Sequence, residues 1–396
     1  MASLTTNPAA QSRTLLTPAR AAFIAFIPTG VVNVLLGPLL PALSTRWLLN
    51  DAQAGELFMA QFLASTVGVL CSGVLVPRFG YRVVIAMGLI LMALGISTLP
   101  LGTWLLGIVS ICSYGVGFGV TIPAANLLVA EVNPDGKAAA LNLLNFAWSI
   151  GAVSCPFLVG HFLRVGKTAL FLYATGALIL LISFLLAIGP MPSRARRDNP
   201  SYPRESISQS LFTPAAIALG ALFFVYVGTE NAVGGWLASY AQRLSDSASH
   251  NWITTPSFFY GALLVGRLFI PLLLRRLHEL KTARAGIAMA LLGVVLLLAS
   301  RSVLVARVSA CVIGIGLAGI YPITIAQLSN TFGTAANRLG SVMFALAGVG
   351  AACVPWMVGA LSAEFSSLKL GLTVPLAGCA IMLALYVRNW TTAAAA

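Results

Sequence analysis

The sequence predicts an all-α membrane protein: twelve transmembrane helices arranged as two pseudo-symmetric six-helix bundles. Three observations predict it. First, the 396-residue chain is 59% hydrophobic and only 8% charged, whereas a soluble globular protein carries roughly 25% charged residues. Second, apolar runs of about 20 residues recur along the whole length, each long enough to cross a hydrocarbon core of about 30 Å. Third, segments of the first half reappear in the second at a near-constant offset. "GVGFGVTIP" (115–123) aligns with "GIGLAGIYP" (314–322), and "GAVSCPFLVG" (151–160) with "GAACVPWMVG" (350–359), each 199 residues on. "GVVNVLLG" (30–37) aligns with "GTENAVGG" (228–235), 198 residues on. Such offsets imply two parallel repeats related by an axis along the membrane normal.

The spans fall, in order, at about 21–43, 54–76, 83–101, 104–130, 138–163, 168–190, 212–242, 254–277, 282–300, 303–328, 337–362 and 367–388. Backbone polar groups in lipid must be satisfied within a segment, so each reads as a helix. None shows the alternation of a membrane β-barrel. The longest polar stretch, "GPMPSRARRDNPSYPRESISQS", is rich in Pro, Ser and Arg and reads as a linker. It sets the expected organisation: a bundle at 1–190, a cytoplasmic linker at 191–211 and a second bundle at 212–396.

The net charge is +13. Its Lys and Arg residues sit in short loops between apolar runs, which marks topology and not a nucleic-acid footprint. With the N-terminus inside, Arg13, Arg20, Arg78, Arg82, Lys137, Arg194, Arg196, Arg197, Arg204, Arg275, Arg276, Lys281, Arg284, Arg338 and Arg388 face the cytoplasm. Arg46, Arg164, Lys167, Arg243, Arg301, Arg307 and Lys369 face outward, 15 against 7, with Arg267 inside a span. Both termini are therefore expected in the cytoplasm, in a bacterial inner membrane, with no cleaved signal peptide.

Chemistry is bounded as well. The six cysteines (Cys71, Cys112, Cys155, Cys311, Cys353 and Cys379) all lie in apolar runs without a C-x-x-C pair, as small buried hydrophobes do. His161, His250 and His278 are far apart, so no metal site is expected, and no cofactor. There is no G-x-x-x-x-G-K-[ST] loop, which argues against an ATP-driven pump. No nucleophile–base set lies near one membrane face, so an enzyme is not expected.

Polar residues inside the spans mark the candidate site. Glu230 and Arg267 are the two charges deep in apolar runs. Span 7 runs outward and span 8 inward, and the two residues lie 12 and 13 residues from the outer ends at 242 and 254. That places both roughly 18–20 Å deep, matched for pairing across neighbouring helices. Such charges usually face a cavity and mark a pathway. An ion pair that merely joins two helices is the alternative. Asn142 and Asn145 share a helix face, with Ser149 one turn on. Asn33 is repeat-related to Asn231, and Gln61, Asn126, Tyr321 and Gln327 also interrupt apolar runs. A sugar or polyol needs several hydrogen-bond partners and a flat ring to pack on. The amides and Tyr321 offer the first, and Trp148, Trp236 and Trp356 the second. Helix–helix hydrogen bonding is the competing reading for any single Asn. Trp47 and Trp104, near span ends, fit interfacial anchors. Glycines crowd spans 4 and 10, namely Gly115, Gly117, Gly119, Gly314, Gly316 and Gly319, which suits close helix approach.

Twelve helices in two parallel repeats with a basic central linker resemble the major facilitator superfamily. The loop "GVLVPRFGYR" (73–82) resembles that family's G-x-x-x-D-[RK]-x-G-[RK]-[RK] gate motif at Gly73, Arg78, Gly80 and Arg82. Pro77 replaces its acid and Tyr81 a basic residue, so the cytoplasmic latch the acid serves is not implied here. "LGPLLPAL" (36–43), "NPDGKAAALNLLNFAWSIGA" (133–152), "GTENAVGGW" (228–236), "FFYGALLVGRL" (258–268) and "GIGLAGIYP" (314–322) resemble the fucose:proton symporter branch. That branch often carries E-T-A-A-N in the fourth helix. Here the stretch is Ile122-Pro123-Ala124-Ala125-Asn126, and the first helix has no acid either. The resemblance implies a secondary transporter of a small polar solute, a monosaccharide or related sugar, working by alternating access with H+ or Na+ coupling. Its partners are then a small-molecule substrate, a coupling cation and the lipid bilayer, with no nucleic acid and a monomeric chain. An exporter of amphipathic compounds or drugs, a proton antiporter, is the alternative, against which the Asn-rich fifth span argues.

Overall fold

The computed structural model describes residues 18–133, 136–188, 212–245, 250–333 and 336–387. The expected linker at 191–211 lies outside them. Among the described residues, ten helices are long and apolar enough to cross a membrane, and a bent pair supplies one more span. One of the ten, Asp51–Leu101, is two crossings joined at a kink, so the described residues make twelve crossings.

Span 1 consists of Pro18–Val34 and Leu36–Trp47, which meet at 42°. Spans 2 and 3 share Asp51–Thr98. Span 4 is Trp104–Val132, span 5 Lys137–Arg164 and span 6 Thr168–Ile188. In the second half, span 7 is Pro214–Arg243, span 8 Thr255–Leu274 and span 9 Glu279–Ala299. Span 10 is Val303–Leu317 and Ile320–Phe332, span 11 Ala336–Glu364, and span 12 Leu368–Gly371 and Thr373–Val387.

Local chemistry accounts for the breaks. In spans 1, 10 and 12 the helix is interrupted beside a carbonyl four residues before a proline: Val34 before Pro38, Ala318 before Pro322, Gly371 before Pro375. Proline has no N–H for that carbonyl, and its ring crowds it. Between spans 2 and 3 the chain turns at Gly80, whose φ of 78° and ψ of 165° suit a residue without Cβ. Span 2 starts on a capping box, with the Asn50 side chain accepting from Gln53 N at 2.9 Å and Gln53 Oε1 accepting from Asn50 N at 3.1 Å. Span 7 starts on Thr213, whose hydroxyl accepts from Ala216 N, followed by Pro214 at the first helical position.

Packing repeats between the halves. Span 1 packs on span 5 as span 7 packs on span 11, and span 4 lies against spans 2 and 3 as span 10 lies against spans 8 and 9. The same glycines make the same contacts. A Cβ on Gly151 would land on the Ile27 carbonyl, and one on Gly350 on the Phe224 carbonyl. Gly88 faces Gly117 across spans 3 and 4, and Gly286 faces Gly316 across spans 9 and 10. In lipid, close backbone approach of this kind is what drives helix association.

Twelve crossings return the chain to the face on which it began; the opposite face is called distal here. Spans 2 and 11 stay together through mid-span, where Gly348 faces Thr66, and further contacts between the bundles lie in the distal half. Gly37 of span 1 meets Gly234 and Gly235 of span 7, Gly55 of span 2 meets Trp356 and Gly359 of span 11, and Gly160 of span 5 meets Ile253 before span 8. Ser257 Oγ donates to the Val153 carbonyl at 2.8 Å.

Candidate functional site

The charged centre is built on one face of span 7. Phe223, Tyr226 and Glu230 stand at i, i+3 and i+7, so they share that face. Phe223 and Tyr226 are buried, and the Tyr226 hydroxyl donates to Glu230 Oε2. Across the helix pair, Arg267 of span 8 presents Nη2 to Glu230 Oε2 at 3.4 Å and Oε1 at 3.5 Å. The Glu230 side chain is 14% exposed and that of Arg267 30%. The pair is therefore shielded without being sealed, which is how a charge inside a membrane protein stays both tolerable and reachable. Glu230 lies thirteen residues from the span end at Arg243, and Arg267 twelve from Thr255, about 18–20 Å by helical rise.

An aromatic cluster adjoins the charges. Tyr321, at the start of the second segment of span 10, stacks on Tyr226 with ring centroids 5.9 Å apart and planes 28° apart. Phe223 meets Tyr321 edge-on at 6.0 Å and Phe344 edge-on at 5.7 Å. One turn of span 7 thus grips the Tyr321 ring, and the next turn carries the carboxylate.

The other candidates are distributed more widely. Asn126, Asn145 and Asn231 each donate Nδ2 to the carbonyl four residues back in their own helix, at 2.9, 2.9 and 2.8 Å. Asn142 and Asn145 are exposed, while Asn33, Asn126 and Asn231 are half-buried. Gln61 is 3% exposed and bridges three spans: Nε2 donates to the Asn33 carbonyl at 2.9 Å, and Oε1 accepts from the Tyr114 hydroxyl at 3.1 Å. Gln327 is buried, and its Oε1 has no partner among the described residues. Trp236 is fully buried in the distal contact zone, tilted against Phe58, with Nε1 donating to the Pro355 carbonyl at 2.9 Å. Trp356 is partly exposed, with its backbone against Gly55, and Trp148 is half-buried, with its backbone carbonyl against Gly30. The structure therefore gathers Glu230, Arg267 and Tyr321, and leaves the amides of the first bundle and the distal tryptophans apart from that centre.

Two participants escaped sequence reasoning. A tyrosine in an apolar helix raises no alarm, and its place four residues before Glu230 is the one signal that could have found it. Asp51, at the distal start of span 2, joins the bundles: its Oδ1 pairs with Arg243 of span 7, and its Oδ2 accepts from Ser362 of span 11. On the face of the termini, Gly73 and Arg78 of the gate motif are exposed, Gly80 makes the turn and Arg82 is half-buried. Beside them the Tyr81 hydroxyl donates to Glu131 of span 4 at 2.7 Å. With Pro77 in the place of the motif's acid, span 4 supplies a carboxylate at this turn.

Known proteins agree with this architecture. The chain is 21% identical over 378 residues to the glucose/mannose transporter GlcP of Bacillus subtilis, covering 93% of this chain and 94% of that one. It is 25% identical over 374 residues to a glucose/galactose transporter of Brucella abortus, covering 89% of each. The crystal structure of the Escherichia coli fucose:proton symporter superposes with a TM-score of 0.64 at 18% identity, covering 95% of this chain and 99% of that one. The Major Facilitator Superfamily model matches residues 22–355. With its paired six-helix repeats and apolar spans, this chain is an integral membrane protein that belongs to the major facilitator superfamily of transporters.

Proposed function

We propose that the protein is a secondary transporter of a monosaccharide or related small polar solute, coupled to H+ or Na+ and working by alternating access. The observation that carries this reading is the Glu230–Arg267 pair, held in mid-span at 3.4 Å and left partly open. A carboxylate so placed changes its surroundings when the bundles move, because its hydration changes as the opposite bundle approaches or withdraws. Binding a coupling cation or a proton at Glu230 is the expected result. The sugar specificity of the relatives supports the substrate class, and the symporter among the structural neighbours supports coupling.

The positive-inside bias supports cytoplasmic termini, and the bacterial relatives support an inner membrane. The distal face is then periplasmic, and the structure is closed there. The moving bodies are residues 1–190 and 212–396, joined by the linker at 191–211, in a monomer surrounded by lipid. Asn33, Gln61, Asn126, Asn142, Asn145, Trp148, Asn231, Trp236, Tyr321, Gln327 and Trp356 are proposed as solute contacts or their supports across the transport cycle.

The test uses reconstituted protein with radiolabelled glucose, mannose, galactose and fucose. Glu230→Gln is expected to abolish accumulation against a gradient while insertion and folding survive. Counterflow exchange locates the role: exchange kept with accumulation lost assigns Glu230 to coupling, and loss of both assigns it to solute binding. Accumulation at the wild-type rate would leave Glu230 a structural residue only.

A further inference from the structure

The cluster around Glu230 contains a residue whose arrangement fits one task. We infer that Tyr226 is the positioning residue that links solute contact at Tyr321 to the ionic state of Glu230. This rests on the transport reading above and names the side chain through which its two parts communicate.

Three features carry the inference. Tyr226 is 2% exposed, so it does not itself meet a solute. Its two functional ends point to different partners: the hydroxyl to Glu230, and the ring face to Tyr321. Tyr321, in contrast, is half-buried and lies just past the break in span 10. The helix stops at Leu317 and restarts at Ile320, because Pro322 has no N–H for the Ala318 carbonyl. A segment bounded by such a break can shift its angle without unmaking a hydrogen-bonded helix, which is where discontinuous spans place their ligand contacts.

The rest follows from rigidity. Tyr226 and Glu230 lie one turn apart in an unbroken helix, so their hydrogen bond persists when the bundles rock. Arg267 belongs to span 8 of the same bundle, while Tyr321 sits in the second segment of span 10, which the break at Ala318–Gly319 lets tilt against span 7. Phe223 braces the far edge of the Tyr321 ring. A solute that presses on Tyr321 therefore displaces the ring that fixes the angle of the Tyr226 hydroxyl. That hydroxyl in turn determines how firmly Glu230 is held, against Arg267 on one side and against a proton or cation on the other.

In the first bundle the positions related to Tyr226, Glu230 and Tyr321 are Pro28, Val32 and Ile122. This link therefore exists in one half only, on the side that carries the acid.

The experiment compares Tyr226→Phe, which keeps the stacked ring and removes the donor, with Glu230→Gln and the double variant. All are assayed in proteoliposomes for accumulation and for counterflow. Tyr226→Phe is expected to reduce accumulation at least tenfold while counterflow stays within about twofold of wild type. In the Glu230→Gln background, where accumulation is already lost, the added Tyr226→Phe is expected to leave counterflow unchanged, because the hydroxyl acts through the carboxylate charge. Tyr226→Leu, which also removes the ring, is expected to raise the KM for counterflow. Equal losses of counterflow from Tyr226→Phe in both backgrounds would mark Tyr226 as a packing residue, and unchanged accumulation in the Tyr226→Phe single variant would also overturn the inference. Failure of Glu230→Gln itself to affect accumulation would instead strike the transport reading, so the two failures are distinct.

Discussion

At the scale of single residues, conformational demand and charge have left different marks. Gly80 holds φ 78° and ψ 165°, a region nearly closed to any residue with a Cβ. Gly80→Ala is expected to destabilise the purified protein by about 1–3 kcal/mol, read as a fall in its thermal midpoint. Phe79→Ala, next to it on the exposed surface, is expected to leave that midpoint nearly unchanged. Glu230 and Arg267 were legible in the sequence because charges are rare in apolar runs. Tyr226 and Asp51 were not. The first is an ordinary residue in such a run, and the second sits at a helix start where acids are common. Their roles depend on partners 95 and 192 residues away, Tyr321 and Arg243, and no local pattern encodes such pairings.

At the scale of elements, number and order of the spans could be read from hydropathy, and the repeat from the glycines. The breaks in spans 1, 10 and 12 were also latent in the prolines. Pro123 shows why they could not simply be read off, for it is repeat-related to Pro322 and yet span 4 runs unbroken from Trp104 to Val132. A proline creates the opportunity for a break, and neighbouring helices decide whether it is taken. Close approach, by contrast, tolerates little adjustment. Gly151→Val would drive a side chain into the Ile27 carbonyl on span 1, and Gly350→Val into the Phe224 carbonyl on span 7. Each is expected to destabilise its own bundle by at least about 1–3 kcal/mol, seen as loss of monodisperse protein on size exclusion in detergent. Gly73→Val, with open space around it, is the control expected to purify like wild type. If either interface variant purifies and melts like that control, the two helix pairs do not rely on glycine contact.

At the scale of the whole molecule, the distal contact between the bundles has identifiable fastenings. Asp51 commits one carboxylate oxygen to Arg243 of span 7 and the other to Ser362 of span 11. Both partners belong to the opposite bundle, so these bonds must part before the distal side can open. Beneath them lie Trp236 against Phe58 and the backbone contact of Gly55 with Trp356. Apolar packing supplies most of the closure, and Asp51 biases it. Because the Arg243 side chain is 44% exposed, the ion pair is screened and contributes about 1 kcal/mol at most. That is still about a fivefold change in the ratio of closed to open protein. Asp51→Asn and Arg243→Gln are each expected to shift the population toward the distally open form by about that factor. The measure is the rate at which a membrane-impermeant thiol reagent labels Ala54→Cys, which is buried under the clasp, in a variant lacking the six native cysteines. The exchanged pair Asp51→Arg with Arg243→Asp is expected to recover part of the slow labelling, since the ion pair returns while the Ser362 bond does not. Rapid labelling in the exchanged pair, no slower than in either single variant, would show that packing alone holds the distal face and that Asp51 is incidental to it.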